Sequence, residues 1–145
     1  MNQSSVRPEV NAAMDQVEAI LVENFEQIDC PLNHIFLPGM YVREIFMPAD
    51  SKVTSKIHKT RHPYVILKGS VNVWIDGIGW KLIKAPYFGI TEPGTRRMIR
   101  VIEDCHWITF HATQKQTVDE VEEEIIEKHE NTLLENKPED HAIPD

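Results

Sequence analysis

The spacing of apolar residues changes twice along the chain. In "RPEVNAAMDQVEAILVENFEQ" it is helical: Val10, Met14, Val17 and Leu21 recur every three or four residues. Pro8 suits a first helical turn and Glu9 suits the positive end of the helix dipole, so the spacing predicts an amphipathic helix. Further on, the runs "YVREIFM", "YVILKGSVNVWI", "GWKLIKAPYFGI", "RRMIRVI" and "CHWITFHAT" are rich in β-branched and aromatic residues. They are divided by "LPG", "MPADS", "DGIG" and "TEPGT", and read as strands and turns. Helical spacing then returns. Thr117-x-x-Glu120 has the form of a capping box, and Val118, Val121, Ile125 and Ile126 share a face opposite a run of glutamates. That second helix is expected to fade after Leu134 into a frayed tail, "ENKPEDHAIPD".

No helical stretch between these ends is long enough to cross over a sheet, so the strands predict an antiparallel sandwich or small barrel. The chain divides into a helical segment at 1–29, a β-barrel at 30–116 and an acidic helix and tail at 117–145. A hydrophobic fraction of 41% in 145 residues is enough for one core, and hence one domain.

Charge follows the same division. Residues 117–145 hold eleven Asp or Glu against two Lys, and residues 1–29 hold six against one Arg, leaving the centre with twelve basic residues against six acidic. The basic residues are scattered, and acidic flanks repel a phosphate backbone, which disfavours nucleic acid as a partner. No stretch has the apolar length of a membrane span or the pattern of a signal peptide, so a cytoplasmic protein without a membrane partner is expected. Cys30 and Cys105 form no C-x-x-C pair and are expected to be reduced and buried.

The candidate chemistry lies in "KIHKTRHPYVILKGSVNVWIDG". If its first part is regular, alternation puts His58, Thr60, His62, Tyr64 and Ile66 on one face, and Pro63 favours an extended His62. The two histidines are then either metal ligands or rim residues of a sheet. His34 and His106 read as hydrogen-bonded rim residues, and His129 and His141 as surface residues of the acidic segment. Glu44, Glu92 and Glu103 are acids whose spacing pairs none of them, and no Ser/His/Asp set, P-loop or dinucleotide motif is present. Trp74, Trp80, Tyr64, Tyr87 and Phe88 could stack on a ligand or fill the core. Alternation sends Arg96 and Arg97 to opposite faces, where the alternative to a ligand is a rim pair with Glu92 or Glu103.

The order H-x3-H-P-Y-V-I-L-K-G, a turn, a strand, E-P-G-T-R-R and a last aromatic strand resembles the cupins over roughly residues 38–112. It is also similar to short cupin-type proteins carried by tailed bacteriophages. The resemblance implies a mainly β fold: a cupin-type double-stranded β-helix, or jelly-roll barrel, with flanking N- and C-terminal helices. Aligned on Gly69, His58 and His62 fall on the second His and the Glu of the family's first motif, and Lys56 falls on its first His. Aligned on Gly94, Arg97 takes the place of the family's last His. Lysine and arginine do not ligate a divalent ion, so two of the four inherited ligand positions are lost. In the cupin layout the final strand lies beside the first motif, which makes His111, on the face of Trp107 and Thr109, the candidate third ligand.

The expected function is binding of a small anionic or polar molecule in the barrel. Arg97, Tyr64 and Lys56 are the candidate ligand contacts, and His58, His62 and His111 would support metal-dependent chemistry with zinc, iron, manganese or nickel. The competing expectation is a non-enzymatic structural or interaction protein with a packed, metal-free barrel. A homodimer is expected in either case, because sheet edges and helix faces need covering.

Overall fold

The structure, a computed structural model, describes residues 6–24 and 28–134. The expected tail at 135–145, with His141, lies outside the described residues. The elements run α1 (Pro8–Asn24), β1 (Leu32–Leu37), β2 (Met40–Met47), β3 (Lys52–Thr54), β4 (Ile57–His58), β5 (His62–Ile75), β6 (Gly79–Lys84), β7 (Tyr87–Thr91), β8 (Arg97–Ala112), α2 (Val118–Ile125), β9 (Ile126–Glu127) and a short 3-10 turn (Thr132–Leu134). Seven strands form one antiparallel sheet in the order β1-β2-β8-β5-β6, with β3 also on β8 and β7 also on β5; β4 and β9 form a separate pair.

The stretches "RRMIRVI" and "CHWITFHAT" were expected as two strands, but β8 runs through both without a break. Glu103 and Asp104 between them are absorbed by irregular pairing with β5 around Lys68 and Ser70. Gly69 makes this possible. Its φ is +92°, and a Cβ there would run into the Asp104 carbonyl, so glycine is required both by the backbone and by the close approach. The inward residues of this folded sheet, among them Ile45, Met47, Val53, Ile66, Val71, Val73, Ile99, Val101 and Trp107, make the core, which includes the free, buried Cys30 and Cys105.

Helix α1 lies against the barrel, and only part of the face expected from its apolar spacing is turned inward. Val10 and Met14 pack with Val6, Ile57, Trp74 and Met98, while Val17 and Leu21 are only half-buried. Asn11 and Glu18 are buried in their stead. The cause is Arg96, whose Nη1 donates to Asn11 Oδ1 and Asp15 Oδ1, each at 2.8 Å, and whose Nη2 lies 3.6 Å from Glu18. A buried guanidinium requires such partners, and it turns the polar edge of the helix inward.

Helix α2 begins at the expected cap: Thr117 Oγ1 accepts from the Glu120 N–H. It is much shorter than the periodicity suggested. After Ile125 the backbone becomes extended, and Ile126, expected on the helical face, pairs in β9 with His58 of β4. The free edge of β4 offers backbone partners that two β-branched residues in succession readily accept.

Candidate metal centre

His58 comes from β4, His62 from the start of β5 and His111 from the end of β8, three segments that the fold brings to one end of the barrel. The ring centroids of His62 lie 4.5 Å from His58 and 4.3 Å from His111, and those of His58 and His111 are 5.6 Å apart. One ligand nitrogen from each fits within 4.8 Å of the others, and the residues are only 3%, 3% and 1% exposed. The regular alternation expected from His58 to His62 is interrupted. Thr60 is exposed, and its carbonyl accepts a hydrogen bond from His62 Nδ1 at 3.0 Å.

That bond fixes the His62 tautomer and leaves the Nε2 lone pair unspent, as a ligating histidine requires. His111 Nε2 is held by the Thr109 hydroxyl at 2.9 Å, while its Nδ1 is buried with no hydrogen-bond partner. An orphaned ring nitrogen in a histidine cluster is what an ion would satisfy. The rings are neutral. Burial, aided by the neighbouring histidines and arginines, pushes His58 down to about 2, and burial with His62 and Arg43 nearby pushes His111 down to about 3; His62 is also lowered, chiefly by burial. Three neutral imidazoles fit a divalent transition metal, and the cluster could hold one.

Arg97 points into the barrel and Arg96 away from it, in keeping with alternation. The expected rim pairing is not found. Glu92 binds Arg61 and Glu103 binds Ser70. Arg97 is 6% exposed, donates from Nη2 to Thr91 Oγ1 at 2.9 Å, and lies over Tyr64 and Trp107, 5.1 and 6.0 Å from their ring centroids. Its Nε has no hydrogen-bond partner, and among the described residues no acid pairs with it. Burial pulls its pKa below the ordinary arginine value. Tyr64 owes its place to Gly89, where a Cβ would sit 2.5 Å from the phenol ring. Lys56 is directed elsewhere: its Nζ binds Glu122 of α2 at 3.1 Å, and it borders a groove of about 760 Å³ shared with Glu18, Arg96 and His129.

Two residues near the cluster carried no signal in the sequence. Tyr41 is fully buried, stacks on His111 at 5.7 Å, accepts from Arg43 Nε at 2.9 Å and lies 2.6 Å from His34 Nδ1. Arg43, 3% exposed, also lies 4.0 Å from Glu122. Both sit in "YVREIFM", where they alternate with Val42 and Glu44 as any strand residues would. Of the remaining histidines, His34 binds Tyr41 and His106 binds Glu44 at 2.7 Å, as rim residues do, and His129 binds Asp15 at 3.0 Å. The aromatics divide: Tyr64 is core, while Trp80 and Phe88 are exposed on the outer surface.

Neither a protein-family model nor a curated protein matches the chain. Solved structures do. The chain is similar to ectoine synthase from P. lautus, with a TM-score of 0.54 at 13% identity over 68% of this chain and 75% of that one. It is similar to an RmlC-like cupin with a double-stranded β-helix fold from Methanocaldococcus jannaschii, with a TM-score of 0.51 at 10% identity over 59% and 82%. A third is the Cnp3 cupin domain of Schizosaccharomyces pombe, with a TM-score of 0.50 at 19% identity over 63% and 66%. The fold is the cupin double-stranded β-helix, flanked here by two helices. Among the described residues no helix is long and apolar enough to cross a membrane.

Proposed function

We propose that the protein binds a divalent transition metal through His58, His62 and His111 and a small anionic molecule beside Arg97. The observation that carries this reading is the charge balance at the histidine end of the barrel. Arg97 is buried without an acidic partner among the described residues, next to three neutral histidines, and a metal ion would add two further positive charges. A buried cation set of this kind calls for an anion, and a metal held by only His58, His62 and His111 would have coordination capacity left for one. Tyr64 would form the aromatic floor under the guanidinium, and Lys56, through its bond to Glu122, would act at the edge of the site rather than within it. The metal, when bound, supplies Lewis-acid polarisation of whatever oxygen it ligates; the chain's own part is to hold the anion and exclude water.

The test is metal analysis of untagged protein, followed by calorimetric titration of the zinc-loaded form with formate, acetate and bicarbonate. Stoichiometric metal, and anion binding that falls by about one to two decades in Arg97→Met, is the expected result. No metal, or equal anion affinity in both proteins, refutes it.

A second reading concerns assembly. Leu67, Trp80, Leu82 and Phe88 of β5, β6 and β7 are each more than half exposed, which is unusual for large apolar side chains on adjoining strands and supports a homodimer through this region. Light scattering that gives the monomer mass at high concentration would remove it.

A further inference from the structure

The histidine cluster is closed on one side by residues 118–127, and that wall is built differently from the rest of the barrel. His58 belongs to a strand of two residues whose one sheet partner among the described residues is β9, paired as Ile57 with Glu127 and His58 with Ile126. The Lys59 N–H donates to the Ile125 carbonyl at 2.7 Å, and on the other side the His58 carbonyl accepts from Gly94 at 3.0 Å. Val121 and Ile125 cover Tyr41, whose ring stacks on His111. Glu122 stands between Lys56 at 3.1 Å and Arg43 at 4.0 Å, supplying a carboxylate at the edge of a basic site.

This segment is lightly held. Its helix has eight residues, of which two are buried, and its strand has two rungs. The stretches on either side of it, 114–117 and 128–131, are mostly exposed. Segments with few buried contacts open locally at far lower cost than a sheet core. The interior strands, by contrast, are long and paired on both edges, as β8 is with β2 and β5.

We infer that residues 118–127 are the gate of the histidine cluster, with Glu122 as its internal anion, and that occupation of the cluster and docking of the gate reinforce each other. The inference rests on the metal-centre reading for what enters, but not for the existence of the gate. Opening separates β9 from β4 and lifts Val121 and Ile125 off Tyr41, which uncovers His58 and His111 together. An incoming anion competes with Glu122 for Lys56 and Arg43. An ion that fixes His58 fixes β4, and through its two rungs fixes β9. Metal capture and closure are thereby one equilibrium.

The test uses the full chain, free of metal, and diethyl pyrocarbonate acylation of imidazoles followed peptide by peptide by mass spectrometry. In Val121→Asp, His58 and His111 are expected to react about ten-fold faster than in wild type, while His106, on the outer face with Glu44, keeps its rate. Unchanged rates at His58 and His111 in the folded variant overturn the gate. If Val121→Asp does not fold, hydrogen exchange in the wild type decides. The Lys59 amide, which donates across the seam to the Ile125 carbonyl, is expected to exchange at least about a hundred-fold faster than those of Val101 and Trp107, and exchange at the core rate overturns the gate. Zinc then tests the coupling: it should slow the Lys59 amide about ten-fold, and zinc bound with no such change overturns it. Absence of zinc binding by calorimetry would refute the metal-centre reading alone, since the acylation and exchange results are obtained without metal.

Discussion

Arg96 and Arg97, neighbours in sequence, are buried on opposite sides of the barrel wall, and among the described residues only Arg96 has acids for partners. Arg96 joins α1 to the barrel through Asp15, Glu18 and Asn11, with Thr54 donating to Glu18 at 2.6 Å. Removing it leaves two carboxylates with side chains only 15% and 10% exposed. Arg96→Met is expected to cost about 3–5 kcal/mol, the usual penalty for breaking a buried ion pair from one side. Urea unfolding followed by far-ultraviolet circular dichroism measures it, and a loss of under about 1 kcal/mol would show that the network contributes little.

Arg97→Met should behave in the opposite sense. The substitution strands no acid, exchanges a buried charge for an apolar chain of similar length among Tyr64, Trp107 and Thr91, and gives up one hydrogen bond to a hydroxyl. In metal-free, ligand-free protein, stability is expected to be unchanged or higher by about 1–2 kcal/mol. A marked loss in the same urea experiment would mean that Arg97 serves the fold.

Acid should weaken the metal-free protein well before its carboxylates titrate. Burial holds His58 at about 2, His111 at about 3 and His62 below the ordinary value, whereas in the unfolded chain each returns to about 6.5. Below that pH the unfolded state binds more protons, so stability is complete above about 6.5 and falls as the pH drops toward 3, by roughly 1.4 kcal/mol per unit for each of His58 and His111, with His62 contributing in the same direction. Unfolding midpoints in chelator at about pH 7.5, 6 and 5 measure the slope, and His111→Asn should reduce it by about one proton. A flat profile over that range would show that the rings are protonated in the fold.

Gly69→Ala meets both a left-handed backbone and the Asp104 carbonyl, so the β5–β8 pairing must shift to admit the methyl group. A loss of about 2–4 kcal/mol is expected, larger than the roughly 1 kcal/mol attached to φ alone. Gly77→Ala, also at positive φ but in open space, is the control, and equal losses at the two sites would show that the close approach is unimportant.

How far the sequence disclosed this molecule depended on how local each cause was. Strand texture, the Thr117 cap and the alternation of Arg96 and Arg97 are properties of neighbouring residues, and each is found in the structure. The three histidines could be placed together only through the layout of the resembled family, because His111 lies far along the chain from His58 and its approach is a product of the closed barrel. Tyr41, Arg43 and Glu122 were not legible at all. They are ordinary residues of a strand and a helix until the tertiary fold brings α2 across the barrel end. The early end of α2 was hidden for the same reason, since what stops it at Ile125 is an edge of β4 more than fifty residues upstream.

Strand β8 has a consequence for register. It carries Arg97 as its first residue and His111 as its penultimate one, so the proposed anion partner and a candidate ligand are attached to a single rail. A slip of one residue along the half before the irregularity at Glu103 would bring Arg97 to the place of Arg96 and Met98 to the place of Arg97, and the acids of α1 would accept Arg97 as readily as Arg96. They offer no proofreading. That falls to the hydrocarbon residues behind them: the slip would evict Ile99 and Val101 from the core and force Arg100 and Ile102 inward in their place. The ion pairs that dock α1 are thus indifferent to the frame in which they are read, and two aliphatic side chains that touch none of them keep it.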